Sequence, residues 1–332
     1  MSFLNDIGAS DESSTCTNEV LYLAAHVCYK FNVEDSDLVS AVFEKVMASC
    51  GNFDRFFEFL DPMSLVFEIE NNLYPYRYNE KDGHITKARL RALEYFIPYI
   101  TRYKATQMFF DPLSLLPSES DDFVLTAKRV RVALIDSPLN SCRGSTPILL
   151  ACHSCSPEAV QLLLRYGCKA MPVEANGPGL VQPDINTRHF QPIYQVTSKL
   201  NALVFWRSRN VFDHLTEEEN DELQNQLQKR ESVLVDILKL FGAAVRKLPV
   251  KIAAGDSLVS TQSTSLMFYL NPYYAKYPDL VLMCSPGPSP LVHLCRCAIR
   301  ETMRECETLP SGINKLPLPK MIQKYLDLHL QY

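Results

Sequence analysis

Four features of this chain carry side chains able to do chemistry. Cys152-His153-Ser154-Cys155 and Cys295-Arg296-Cys297 offer thiols and an imidazole, the groups that bind zinc or exchange disulfides. His26, His84, His189 and His214 are scattered imidazoles, and Glu217 to Glu222 is a run of carboxylates. None of these forms a complete set. A structural zinc site needs a second Cys or His pair at fixed spacing, and none accompanies Cys152 and Cys155. On a helix, Cys295 and Cys297 point to different faces. The acidic run suits the first turn of a helix, where the dipole favours negative charge. No P-loop, G-x-S-x-G or H-E-x-x-H pattern occurs. The expectation is a non-catalytic chain with no metal or cofactor, acting by recognition.

The stretch best suited to recognition lies near the C-terminus. Leu291, Leu294, Cys295, Ala298, Ile299, Thr302 and Met303 recur at i, i+3, i+4 and i+7, with Ser289 as N-cap and Pro290 in the first turn. Arg296, Arg300, Arg304 and Glu305 fall largely on the opposite side. Leu316-Pro317-Leu318-Pro319 follows, then a short helix with Ile322, Tyr325, Leu326 and Leu328. Segments below about 40 residues rarely fold unaided. This one reads as a docking element whose core is completed by other proteins.

These elements need a body to position them. The chain has 332 residues, 47% of them hydrophobic, enough for one large domain or two ordinary ones. Its net charge of −5 gives no electrostatic reason to expect nucleic acid or a membrane surface. No apolar run approaches the roughly 18 residues of a membrane-spanning helix, and the first residues lack the pattern of a secretory signal. Eleven cysteines are then expected as reduced, small core residues. Apolar spacing is mostly helical, so the expected class is all-α.

Residues 1–17 are polar and expected to be disordered. Residues 18–122 read as a helical N-terminal region. Val20, Leu21, Leu23, Ala24, Val27 and Cys28 form one stripe, and Ser36 caps a helix bearing Leu38, Val39, Val42, Phe43 and Val46. Short helices are expected at 53–60 and 64–69, a loop at 71–84, a helix over 85–103 and a linker over 110–122. Residues 123–135 read as helical. Gly144 to Gly167 predicts a helical hairpin: Thr146 and Pro147 open one helix, Ser156 and Pro157 the next, and Gly167 supplies a left-handed C-terminal cap. A Pro/Gly-rich insertion over 172–192 separates it from a helix at 197–206. A Thr216/Glu219 capping box then opens a long helix striped by Leu223, Leu227, Leu234, Leu238 and Phe241, ending at Gly242. Residues 271–284 read as a linker.

Thr146-Pro147-Ile148-Leu149-Leu150-Ala151 resembles the ankyrin signature Thr-Pro-Leu-His-x-Ala, with Leu149 in the place of the histidine, which weakens the polar network between repeats. Leu240-Phe241-Gly242-Ala243-Ala244-Val245 resembles a repeat's close. A clear repeat is thus expected at 144–168 and a degenerate unit at about 197–245, within a region 123–270; residues 18–122 supply degenerate repeats or a cap. Leu291, Cys295 and Ile299 resemble the Elongin-binding box of the SOCS box family, and Leu316 to Pro319 its Cullin-binding box. Taken together, the chain resembles the ankyrin repeat and SOCS box family, nearest its testis-type branch with few, divergent repeats, chiefly through His293 to Arg296, Leu309 to Ile313 and Tyr325-Leu326.

The resemblance implies an all-α fold: a degenerate ankyrin-type helical stack followed by a small SOCS box at 285–332. It implies a cytoplasmic protein, with the nucleus as a second setting, that recognises a substrate for a ubiquitin ligase. Leu291, Leu294, Cys295 and Ile299 would bind Elongin C, itself paired with Elongin B. Leu316, Pro317, Leu318 and Pro319 would meet Cullin-5, with its RING partner, although Cullin-2 stays open. The target protein is not implied. A second reading is an ankyrin-like scaffold whose tail folds back and recruits no ligase; it requires Leu291, Cys295 and Ile299 to be buried within the chain. A third, an enzyme, requires a deep pocket of converging titratable groups.

Overall fold

The computed structural model describes residues 13–50, 87–110, 127–136, 146–170, 191–208, 216–252, 268–285 and 287–329. The short helices expected at 53–60 and 64–69, the loop at 71–84, most of the insertion at 172–192, and His84, His189 and His214 lie outside them.

Ten α-helices dominate the described residues, as expected. Helices α1 (Ser13–Lys30) and α2 (Ser36–Cys50) pack as a pair. Residues 13–17, expected to be disordered, are the first turns of α1. Its buried stripe is Leu21, Tyr22, Ala25 and Cys28, while Val20, Leu23 and Val27 stay exposed. The α2 cap is Asp35 rather than Ser36: its Oδ1 accepts from the backbone N–H groups of Asp37 and Leu38, both at 3.1 Å. Val39, Val42, Phe43 and Val46 then face inward, where Phe43 stacks on Phe96 of α3 (Lys87–Arg102).

The helix expected over 123–135 does not form over its described residues, 127–135. Residues Ala127–Ala133 form strand β2, antiparallel to β1 (Lys104–Phe110), and only a short 3-10 turn, Leu134–Asp136, follows. The cause is legible in hindsight: Arg129-Val130-Arg131-Val132 alternates with period two, which suits a strand.

The centre is two stacked helical hairpins. Helices α4 (Pro147–His153) and α5 (Pro157–Arg165) make the first, and α6 (Pro192–Ser208) and α7 (Glu217–Ala244) the second. α4 lies on α6 and α5 lies on α7. Ser156 caps α5 by accepting from Ala159 N at 3.3 Å. Beyond α5, Cys168 N donates to Leu163 O and Gly167 N to Leu164 O, both at 3.0 Å, with Gly167 at φ 88°. This is the left-handed cap expected there. The same position at the end of α4 is taken by Cys155, at φ 50°. Thr216 and Glu219 form the expected capping box on α7.

Gly242 does not close α7. The helix runs on to Ala244, and Gly242 lies inside it. A Cβ there would lie 2.7 Å from the sulfur of Met283, so the glycine admits a close approach from α8 (Pro278–Cys284). The supposed linker at 271–284 is therefore part of the body. It holds a 3-10 turn, Pro272–Lys276, and α8, and buries Tyr274 and Leu280. A buried carboxylate, Glu231 of α7, accepts from Arg207 of α6 and from the Tyr277 hydroxyl, with Lys276 Nζ at 3.7 Å. It ties α6, α7 and the 3-10 turn together. Two short parallel strands, β3 (Val250–Ile252) and β4 (Phe268–Leu270), complete the body.

Candidate functional site

The tail contains α9 (Leu291–Glu305), a 3-10 turn at Ile313–Lys315 and α10 (Lys320–Leu326). Helix α9 is inverted relative to an ordinary amphipathic helix. Its buried residues are Arg296, Cys297 and Arg300, with Arg296 only 2% exposed. Its outward face carries Leu291 at 75% and Val292 at 58% exposure, with Cys295 also exposed and Leu294 half-buried. Large aliphatic groups usually gain roughly 1.5–3 kcal/mol from burial, so this orientation needs a compensating cause.

That cause lies at the ends of α5 and α7, which both point their C-terminal carbonyls at α9. Helix C-termini carry partial negative charge and unsatisfied acceptors. Arg300 answers those of α5, donating to Leu164 O at 2.5 Å and, at a long 3.5 Å, to Arg165 O. Its other nitrogen reaches Leu326 O of α10 at 2.7 Å. Burial pulls the Arg300 guanidinium down to about 10, still charged near neutrality, with Asp327 opposing the shift. His293 Nε2 lies 2.8 Å from Val245 O at the end of α7. Ser289 does not cap α9 as expected. Its hydroxyl donates instead to Arg246 O at 2.8 Å, and Pro290 takes the cap position. Arg296 stacks on the Tyr325 ring, 4.3 Å away, and meets His293 Nδ1 at 2.9 Å.

The far end of the tail is fastened too. Arg165 pairs with Asp327 at 2.7 Å, and Gln161 donates to Leu328 O at 2.8 Å. Leu328 is 1% exposed and belongs to the body's core. Its backbone is left-handed, φ 59°, a conformation that costs an L-residue roughly 1–2 kcal/mol. The tail's core is thus completed on one side by this chain's own body, which corrects the expectation that other proteins do so alone.

The expected site residues divide into two kinds. Leu291 and Cys295 are displayed. Ile299, Leu316 and Leu318 pack against a small internal cluster of Leu309, Ile313 and Leu326, while Pro317 and Pro319 are exposed. The leucines hold the loop and the prolines face outward. The fold-back alternative required Leu291, Cys295 and Ile299 to be buried in the chain; the tail does fold back, but with its arginine face. The displayed Val292 and Met321 were not singled out in the sequence, and His293, Arg300 and Asp327 were given no part in fastening the tail. Val292 and Met321 were legible only as apolar residues off the expected stripe, and nothing in the sequence marks that fastening.

Cys152 is buried in the body and His153 lies half-buried beside it. Burial pushes the Cys152 thiol up, and burial with Lys199 pulls His153 down to about 4. Lys199 Nζ donates to His153 O at 2.6 Å, closing the end of α4. Among the described residues no group of three or more His, Cys, Asp or Glu is arranged to hold a metal.

Residues 287–327 match the SOCS box family model. No curated protein and no solved structure gives a significant match to the chain. The chain therefore carries a SOCS box, a module that binds Elongin B/C and Cullin-based ubiquitin ligases and whose proteins are typically non-catalytic substrate receptors.

Proposed function

We propose that this chain is the substrate-recognition subunit of an Elongin B/C–Cullin–RING ubiquitin ligase, with Cullin-5 as the Cullin. The body, read as a degenerate ankyrin-type stack, holds a target protein, and the tail holds the ligase. Leu291 enters an apolar pocket on Elongin C, flanked by Cys295 and half-buried Leu294, while Ile299 supports the helix from behind. Pro317 and Pro319, held by Leu316 and Leu318, face the Cullin. The chain's part is positional: it raises the concentration of a target lysine near the ubiquitin-charged enzyme. The setting is cytoplasmic or nuclear.

The observation that supports this reading best is the inverted polarity of α9. A helix that buries two arginines and displays its leading aliphatics is built to lay those aliphatics in another protein's groove. Co-purification with Elongin B and C tests it. The Leu291→Ala/Cys295→Ala variant should keep its thermal midpoint and lose Elongin C. Loss of one buried aliphatic anchor alone corresponds to roughly tenfold in affinity. Equal recovery by wild type and variant, with both folded, sinks the proposal.

A further inference from the structure

A cavity of about 570 Å³ lies where the tail meets the two hairpins. Lys169 follows α5, Arg246 and Lys247 follow α7, and Arg300 and Arg304 come from α9; the one carboxylate in the lining is Glu301. The chain as a whole carries −5, so this concentration of cations runs against its overall balance.

The nearby negative groups are already committed. The carbonyls ending α5 and α7 are engaged by Arg300, His293 and Ser289. Glu301 is held by Arg304, which donates through Nε at 3.1 Å and Nη2 at 2.5 Å and leaves Nη1 over. Asp136, close by, accepts from Lys169 N at 2.7 Å rather than from its ammonium. No ion pair among the described residues engages the side chain of Lys169 or Arg246. Two thiols line the cavity, and burial pushes both up: Cys168 Sγ bonds to Ile135 O at 3.4 Å, and Cys297 Sγ lies 3.9 Å from Ala244 O and 3.7 Å from His293 Nε2. The site suits binding rather than bond chemistry.

We propose that this cavity is an anion site for a phosphoryl group, with Lys169, Arg246 and Arg304 as its direct ligands. The three come from three separate elements. Donors converging from several directions suit a tetrahedral oxyanion, whereas a planar carboxylate is best met by one bidentate arginine. Lys169 and Arg246 belong to the body and Arg304 to the tail, so an occupant fastens the two together. The group can come from a phosphorylated side chain of a bound protein or from a small soluble polyphosphate. The inference does not depend on ligase recruitment.

Calorimetric titration of the full chain with pyrophosphate tests it, against sodium chloride at matched ionic strength. The expected dissociation constant is below about 1 mM, and Lys169→Ser/Arg246→Ser should weaken it by roughly tenfold or more. The variant's unliganded thermal midpoint and Elongin C recovery should not change. Heats no different from the chloride blank, or equal binding by the variant, overturn the proposal. A degenerate phosphoserine peptide mixture separates the sources. Retention that pyrophosphate displaces identifies a phosphorylated protein, and pyrophosphate binding without peptide retention identifies a soluble ligand.

Discussion

The α4–α5 hairpin and the SOCS box are both small helical units, and they solve the burial problem in opposite ways. The hairpin turns Ile148, Leu149, Val160, Leu163 and Leu164 inward. The tail turns Arg296 and Arg300 inward and Leu291 outward. The hairpin meets α6 and α7 along their apolar sides, where area burial dominates. The tail instead meets the ends of α5 and α7, where carbonyls lack partners. A guanidinium satisfies several carbonyls at once, so it suits a surface made of helix ends better than leucine does. The apolar face is thereby left for another molecule. What a helix buries is decided by which part of its neighbour it touches.

The largest effect is expected when the tail's buried face is made apolar. Arg300→Met keeps the length and removes the donors, stranding the carbonyl of Leu326 and leaving that of Leu164 with backbone donors alone. Hydrogen bonds to charged groups contribute roughly 1.5–3 kcal/mol each, so a loss of about 3 kcal/mol is expected, read from urea midpoints. Arg300→Lys should recover little, because one ammonium lacks the fork that spans two helix ends. If Arg300→Met is neutral, the arginines do not orient the tail and the inversion needs another cause.

A second, smaller effect is expected at Leu328, a tail residue seated in the body's core. Leu328→Ala removes its side chain from the body's core and should cost about 2 kcal/mol. Leu328→Gly removes the same packing but also relieves the left-handed strain of roughly 1 kcal/mol. Glycine should therefore be the milder substitution, the reverse of the usual order within helices. Proteolytic release of the tail from the full chain would register both. If alanine is the milder one, the backbone strain is not real.

The sequence made the hairpin legible because each of its signals is local. Pro147, Ser156, Pro157 and Gly167 mark ends whatever surrounds them, and the Thr216/Glu219 box does the same for α7. The tail's existence and apolar stripe were legible for the same reason. Its orientation was not, because periodicity shows that a helix has two faces and not which one is buried. Gly242 failed similarly. A glycine can mark a left-handed cap or a close contact, and only Met283, 41 residues later, decides. Residues 271–284 were misread because prolines suggested a linker, whereas Tyr274 and Leu280 are anchored by α6 and α7. The strand at 127–133 was not legible to a reading that weighed helical spacing alone, because its period-two signal spans only Arg129 to Val132.

The gentlest test returns to the hairpin. Thr146 is buried, and its Oγ1 has no hydrogen-bond partner. An unsatisfied buried hydroxyl costs roughly 1–3 kcal/mol, while valine fills the same volume without it. Thr146→Val should therefore stabilise the chain by about 1 kcal/mol. The N-cap position does not oppose this, since Thr146 makes no side-chain cap to α4. The comparable change in the tail, Ser289→Ala, should destabilise, because that hydroxyl does bond to the body at Arg246 O. Opposite signs in a thermal melt would show that the Ser289 hydroxyl holds the junction together while the Thr146 hydroxyl holds nothing in the hairpin. If Thr146→Val lowers the midpoint instead, the hydroxyl has a partner and the hairpin's interior is not the purely apolar counterpart of the tail.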